Sequence, residues 1–552
     1  MTSRQPTISS IIIVGAGPSG LLLALLLAEL SPRPEITILD AAPTLNEAPR
    51  ATHYGSPAIQ LFRKAGILAE IRRDGYMPEK ICWRKLDGER ICGYDRSLLH
   101  DGGLDGDGLT VYWVGRLCAL LERELKTRTG VGVKWGHKVT SLKSGLHRDD
   151  TCATIEVQTP DGNGVTSYTA DYIVGCDGGN STMRRLMFGQ RNFPGFSWDV
   201  PIVATNTIID LDRFGWEDTQ FVIGREHWFM AARIGAHEDP KQNIWRISYG
   251  EKAGLSNEEL MQRQEMKFEQ MLPGHPKEYK VLNKSPYRVH QRCVEKMRVG
   301  RLLLAADAAH LCNPFGGLGL TGGIVDVGAL MQCFEGMQKG VADDDILDVY
   351  CEVQRKMWHD IINPVSTANI KRLYMQDPET ALADDEMLQL IKKAETDLEL
   401  SRELQSAGNI VWQTGSRSRT PAARTPQNRS GTASPAPQNA GTQSPRQDGG
   451  RQQQQNNVWS QRSSSIGGSN GQPKNEQSVE VKAEQQHTPA NGFNAADVKA
   501  SLARVPVPAT YKAAEISGGG KGAWGAKPNH MANNQPFFVQ LAKQIATLEG
   551  GG

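Results

Sequence analysis

No sign of charge dominates this chain: 62 Lys and Arg stand against 61 Asp and Glu, a formal net charge of +1 at pH 7. Without a basic surplus there is no field to gather phosphate backbones or an anionic membrane surface, so nucleic acid is not an expected partner. Cysteine is scarce and scattered: nine residues (Cys82, Cys92, Cys118, Cys152, Cys176, Cys293, Cys312, Cys333 and Cys351) with no C-x-x-C pair among them. That pattern argues against a disulfide framework and a thiolate metal centre. It fits reduced, core-filling thiols of a cytoplasmic protein, and no metal site is expected. The basic n-region of a secretory leader is lacking too, since only Arg4 precedes the first apolar run, and secretion is not expected.

That run, IIIVGAGPSGLLLALLLAEL from Ile11 to Leu30, carries a single charge, Glu29. As one helix it would reach about 30 Å, the thickness of a bilayer core. Its centre, however, holds Gly15, Gly17, Pro18 and Gly20, and an interior Gly costs about 1 kcal/mol and an interior Pro about 3 in helix propensity. A buried strand Ile11 to Val14, a glycine turn and a buried helix Leu21 to Leu30 remove the conflict, and no membrane span is expected. EITILD then alternates and ends in Asp40, about 20 residues further on, as in a dinucleotide fingerprint. Gly15, Gly17 and Gly20 would let backbone approach a pyrophosphate at the helix N-terminus, and Asp40 would accept from a ribose hydroxyl. Gly makes up 57 of 552 residues, so the bare glycine pattern arises by chance about 0.6 times in such a chain; strand, helix and acid in context carry the weight.

Two later segments repeat the theme of strand, acid and glycine. ADYIVGCDGGNSTMRRLMFG runs from a strand at Tyr172 to Val174 into Asp177, Gly178 and the basic pair Arg184-Arg185, and alone it reads equally well as an Asp-Gly turn. GRLLLAADAAHLCNPFGGLGLTGGIVDVGAL places Asp307 after a strand Leu302 to Ala305, then Pro314, then Gly316, Gly317 and Gly319 opening a helix. An acid at a strand end offers an acceptor for polyol hydroxyls, and a helix start offers a positive dipole end for an anion. A reduced flavin presents both.

In this order the three signatures resemble the FAD-dependent monooxygenases of the aromatic hydroxylase (p-hydroxybenzoate hydroxylase-like) family, especially its fungal members, over about Ile11 to Pro364. The resemblance implies that Gly15, Gly17, Gly20 and Asp40 hold the ADP half of FAD, and that Arg50 and Arg116 match the family's two arginine positions near the cofactor. It sets Asp177-Gly178 as the DG motif, tied to FAD and NAD(P)H handling. Asp307 becomes the ribitol-binding acid, with Pro314 near the ring and Gly316, Gly317, Gly319 and Leu320 along the flavin. Two positions depart from the pattern: Ala306 replaces the usual Gly before the acid, and Thr321 replaces the usual Asn.

The chemistry so implied is reduction of FAD by NADPH or NADH, reaction with O2, and delivery of one oxygen by the flavin C4a-hydroperoxide to an aromatic, phenolic or other electron-rich small molecule. A base near the ring would assist a phenol. Candidates are His53 and Tyr54, after Arg50, and His227 with Trp228; Tyr54 and His227 are carried forward as catalytic, although residues of these types are more often core packing.

The expected architecture is α/β. A Rossmann-like FAD-binding domain of glutathione-reductase type spans 8–190 and 285–365, with 78–112 contributing to a substrate domain inserted at 191–284. The alternating runs PIVATNTIID, HWFMAARI and IWRISYG read as antiparallel strands of that insert, and Ser256 to Glu259 as a capping box. A helical extension follows at 366–413, then a disordered linker at 414–500 poor in large apolar residues, then a tail at 501–552 with Phe537, Leu541, Ile545 and Leu548 at helical spacing. The tail could bind a protein partner, and a homodimer is left open. Two alternatives stand beside the monooxygenase: a scaffold protein working through its tail, and a non-oxygenating flavin oxidoreductase. A halogenase is disfavoured, since no Trp-x-Trp-x-Ile-Pro run occurs.

Overall fold

The computed structural model describes residues 8–45, 51–97, 108–160, 162, 164–236 and 242–404. The linker and tail, and Arg50, lie outside these residues. Among the described residues no helix is long and apolar enough to cross a membrane, and no group of His, Cys, Asp and Glu is arranged to hold a metal.

A six-stranded sheet runs in the order Arg298–Val299, Leu302–Leu304, Tyr172–Gly175, Ser10–Val14, Glu35–Leu39, Val133–Lys134. Its pairings are parallel except at the Arg298–Val299 edge. Strands buried on both faces read as continuous apolar runs, and IIIV and LLL do so here. The helix after the first strand is Pro18–Leu27, three residues longer at its start than the sequence suggests. Proline at the first helical position loses no hydrogen bond. The helix is buried all round, the mark of a core element, and it shares one cluster with the long helix Leu318–Gln338 and with Val114–Thr129. An antiparallel meander, Lys138–Ser144, Ala153–Gln158 and Val165–Ala170, closes on the same core through Val139, Ile155 and Val157.

The second sheet has seven strands in the order Lys280–Tyr287, Ile202–Ile209, Asn243–Gly250, Phe229–Ala236, Thr219–Val222, Lys80–Arg84, Arg90–Asp95. The three alternating runs read from the sequence form its antiparallel centre. Lys80–Arg84 and Arg90–Asp95 extend it, the former pairing parallel with Thr219–Val222. Period-2 alternation separates the faces. One face, with Val203, Phe229, Trp245, Ile247 and Tyr249, packs on Leu260 and Phe268 of the helices Asn257–Gln262 and Gln264–Met271. The first of these helices starts with the Ser256–Glu259 capping box. The other face carries Ile202, Asn206, Met230, Arg246 and Ser248 by the same alternation.

Helix Asn363–Tyr374 joins the parts: Asn369 Nδ2 donates to the Phe315 carbonyl at 3.3 Å, Gly224 N–H donates to the Leu373 carbonyl at 2.9 Å, and Ile370 and Leu373 pack with Trp228 and Phe315. The short helices Ala381–Asp384 and Glu386–Ala394 cover the Arg90–Asp95 edge through Ala381, Leu388 and Ile391. Leu25 is fully buried in the first helix; Leu25→Ala should therefore cost about 2–5 kcal/mol through lost burial and a cavity, read as an earlier urea midpoint for the parallel-sheet domain.

Candidate active site

Gly15 has φ +108°, and a Cβ added there would lie 2.4 Å from the Cys176 carbonyl oxygen and 2.8 Å from Asp177 Cα. At Gly20 a Cβ would fall 2.0 Å from the Gly15 oxygen. Both positions are glycine because backbone meets backbone. Gly17 differs: nothing lies within 4 Å of its Cβ direction, so the loop's open side faces away from the protein at the start of the first helix. Asp40 braces this loop, Oδ2 accepting from Ala16 N–H and Oδ1 from Ala42 N–H, both at 2.7 Å. Each oxygen keeps a lone pair for a ribose hydroxyl.

Asp177 takes hydrogen bonds from Ser181 Oγ at 2.5 Å, Thr182 N–H at 2.6 Å and Met183 N–H at 3.0 Å. It thus braces the start of helix Thr182–Phe188, a local role beyond the ligand contact that the resemblance implies. Burial holds its pKa above the usual carboxylate value despite those bonds. Gly178, at φ +75°, opens onto free space. Arg184, buried and set over the Phe193 ring at 3.8 Å, donates to the Gly179 carbonyl at 2.7 Å and the Ala308 carbonyl at 3.0 Å, stapling the second signature to the third. Burial lowers its pKa to about 10.

In the third signature Ala306 adopts φ +57°, left-handed and uncommon for a residue with a Cβ. Asp326, buried in the long helix, holds this turn: Oδ2 accepts Ala306 N–H and His310 Nε2–H, each at 2.8 Å. A Cβ added at Gly323 would lie 2.6 Å from Ala306 Cβ and 3.3 Å from Ser19 Oγ, so the first and third signatures meet there. Asp307, the next residue, is exposed. Pro314 is exposed and Phe315 buried; Gly316 and Gly317, at φ +113° and +66°, lead into the helix Leu318–Gln338. Gly319 passes the Cys312 sulfur, which would be 3.5 Å from an added Cβ, and Leu320 packs on the core. Thr321 is buried and its Oγ1 accepts Gly55 N–H at 3.0 Å, so the residue replacing the expected Asn ties the His53–Gly55 segment to the helix start. Arg116 is exposed on the first turn of helix Val114–Thr129, 5.4 Å from the Trp113 ring centre.

The two proposed bases need correction. Tyr54 lies in the core of the parallel-sheet domain, its ring 5.2 Å from Phe62 and its hydroxyl buried without a partner among the described residues, and burial holds its pKa far above an ordinary tyrosine. His227 stands 3.4 Å from Lys267, whose helix packs on the far face of the seven-stranded sheet, and burial beside that cation lowers its pKa. His53 is the candidate that reaches the flavin helix: a Cβ at Gly317 would be 3.6 Å from its own. Neighbours in an extended segment point to opposite sides. Burial and Arg246 lower the His53 pKa to about 4, so its imidazole is neutral near pH 7, and its Nε2 is buried without a partner.

Sequence reasoning missed Asp326 and Arg246. Asp326 is the one charged residue between Leu318 and Phe334, a signal that was available. Arg246 sits mid-strand in NIWRISYG, where an arginine on an apolar alternation is the corresponding sign.

The cluster around Asp326 gives two expectations. Asp326→Ala leaves a buried N–H and imidazole unpaired and should cost about 2–4 kcal/mol; Ala306→Gly, free of the left-handed penalty of about 1–2 kcal/mol, should soften that loss when combined with it, read by thermal melts of the four variants. His310 titrates above an ordinary histidine, because burial, which lowers it, is outweighed by the Asp326 carboxylate. A raised folded pKa means its contribution is full below about pH 6.5 and fades as pH rises through the folded value. The stability gap between wild type and His310→Gln should therefore shrink from pH 6 to pH 9.

These residues fit FAD: open space at Gly17 and Gly178, an exposed acid at Asp307, and a glycine at the helix start, Gly317, beside His53. A family model described as "FAD binding domain" matches residues 9–363. The chain is 32% identical over 399 residues to para-nitrophenol 4-monooxygenase of Pseudomonas sp. strain WBC-3, covering 72% of this chain and 94% of that one. It is 31% identical over 368 residues to 6-hydroxy-3-succinoylpyridine 3-monooxygenase of Pseudomonas putida, covering 67% and 90%. Both relatives are bacterial, not the fungal kind the sequence suggested. The crystal structure of p-nitrophenol 4-monooxygenase from Pseudomonas putida superposes with a TM-score of 0.66 at 30% identity, covering 73% of this chain and 98% of that chain. The α/β fold with a flavin-binding core is thus shared along most of the described length, and the chain belongs to the FAD-dependent aromatic hydroxylase family and is a monooxygenase, an oxidoreductase carrying FAD.

Proposed function

We propose that this protein hydroxylates a phenol or hydroxypyridine ring, consuming NADPH or NADH and O2. The observation that carries the reading is the meeting of three glycine-and-aspartate turns at one edge of the parallel sheet, stapled by Arg184 and Asp326. The relatives named above for nitrophenol and hydroxypyridine oxygenation support the ring chemistry. Bound FAD supplies the oxygen-transferring redox chemistry.

The chain's own part is positioning. The Gly17 loop and the first helix start would take the pyrophosphate. Asp307 would accept from ribityl hydroxyls. The helix start at Leu318 would turn the N–H groups of its first turn and a positive dipole end toward the place where the ring's anionic edge would lie. Trp228, its ring centre 5.6 Å from Phe315 and 5.3 Å from Tyr374, forms with them an apolar wall that would keep water from the reacting atoms. His53 would offer a neutral imidazole for a hydrogen bond to the substrate.

Purified protein should be yellow, with FAD released on denaturation, and should oxidise NADPH or NADH faster when a substrate phenol is added. Asp307→Ala should weaken FAD binding by roughly tenfold or more, the loss of charge-assisted hydrogen bonds. A colourless protein that ignores micromolar FAD would falsify the assignment.

A further inference from the structure

The loop that leads into the long helix is clamped by buried polar side chains. Gly316 and Gly317 give it two consecutive residues at positive φ, +113° and +66°, and so permissive a backbone has little stiffness of its own. Its shape is imposed from outside. At its start the fully buried Asn313 donates its N–H to Gln291 Oε1 at 3.1 Å and its Nδ2 to the same oxygen at 3.4 Å. Asn313 Oδ1 in turn accepts the Phe315 N–H at 3.1 Å, while Asn369 Nδ2 donates to the Phe315 carbonyl at 3.3 Å.

Gln291 is the centre of this clamp. It is fully buried on strand His290–Cys293, which lies between Gly195–Ser197 and His310–Leu311 in a three-stranded sheet. Its Nε2 donates to Ser366 Oγ at 2.7 Å and to the Asn363 carbonyl at 3.3 Å. A backbone N–H only donates and a backbone carbonyl only accepts, so these partners fix which way the amide faces and use both of its ends. Ser366 Oγ donates onward to the Ile362 carbonyl at 2.5 Å, and Ile362 ends the one-turn π-helix Trp358–Ile362. The same turn meets the loop's other neighbours: Trp358 Nε1 donates to the Leu311 carbonyl at 3.3 Å, and Trp358, Ile361 and Ile362 cluster with Leu318, the first residue of the long helix. Single π turns of this kind occur frequently at functional sites. An apolar side chain could fill the place of Gln291 without the cost of desolvating an amide; a fully satisfied network adds one defined arrangement instead.

We infer that Gln291 is a positioning residue for the flavin reaction: acting through Asn313, it sets the loop 313–317 and so where the helix start at Leu318 would stand against the ring. This rests on the flavin reading above and adds to it the residue that sets the ring's surroundings.

The test is the midpoint potential of FAD bound to the purified protein, measured by equilibration with a redox dye. A helix start held against the ring's anionic edge favours the reduced form. Gln291→Leu should therefore lower the potential by about 30 mV, a tenfold loss of that preference in a two-electron couple, with FAD still bound. Ser366→Ala, which slackens the far end of the same chain, should lose about threefold, or about 14 mV, and the double variant should lose no more than Gln291→Leu alone. Leu260→Ala, a core truncation on the far face of the seven-stranded sheet, should melt earlier yet leave the potential where it was. In protein stripped of FAD, amide exchange at Phe315 should be about tenfold faster in Gln291→Leu than in wild type. A folded Gln291→Leu with the wild-type potential, additive shifts from the two substitutions, or an equal shift in Leu260→Ala would overturn the inference. If Gln291→Leu does not fold, Ser366→Ala decides, and an unchanged potential there counts against it. A colourless wild type would remove the flavin reading and this inference with it, whereas a yellow protein whose potential and Phe315 exchange ignore Gln291 would remove the inference alone.

Discussion

Between Gly15 and the Cys176 carbonyl there is no room for a methyl group, since an added Cβ would sit 2.4 Å from the oxygen. The first strand and the Tyr172–Gly175 strand are neighbours in the sheet, so their loops must leave the same edge side by side. That closeness brings the two turns side by side, and the same constraint recurs where Gly323 lets the Ala306 turn rest on the long helix. Every functional position in the parallel-sheet domain is therefore set by backbone contact first and by side chains second. Loops fixed this way keep their N–H groups aimed at a ligand without reorganisation.

Electrostatics then divides the site in two. In the three turns the acids are held by donors: Asp40 and Asp177 by backbone N–H groups, with a lone pair left on each Asp40 oxygen, and Asp326 by His310. On the seven-stranded sheet Arg246 has no acid partner among the described residues, and burial together with that cation keeps His53 neutral near pH 7. Low dielectric strengthens whatever interaction an incoming ligand makes there.

How much of this is legible in one sequence depends on whether a feature is local. The strand Ser10–Val14, the acids Asp40 and Asp307 and the antiparallel runs are local patterns of period 2 or of turn chemistry, and each lies where the pattern puts it. The start of the first helix was read too late because Pro18 and Gly20 look like turn residues, although proline suits a first helical position. That Tyr54 packs into the core was hidden for a different reason: nearness to a motif says nothing about which of two adjacent side chains is buried there. Register is also invisible. Nothing local says that Asn206, Arg246 and Asn283 stand side by side, or that Lys80–Arg84 pairs with Thr219–Val222.

The segment read from sequence as a helical extension has a larger part in the site than that name suggests. Asn369 donates to the Phe315 carbonyl, and its Nδ2 lies 2.8 Å from where a Gly316 Cβ would be, so helix Asn363–Tyr374 presses directly on the loop before the long helix. Through Tyr374 against Trp228, and Leu373 against Gly224, the same helix grips the substrate sheet. It therefore fixes the distance between the helix start that would steady the flavin and the sheet that carries Arg246. Oxygen transfer tolerates little slack between donor and ring, because a misplacement of about 1 Å can cost about a hundredfold in rate. A helix packed on both partners is the simplest device for holding that gap.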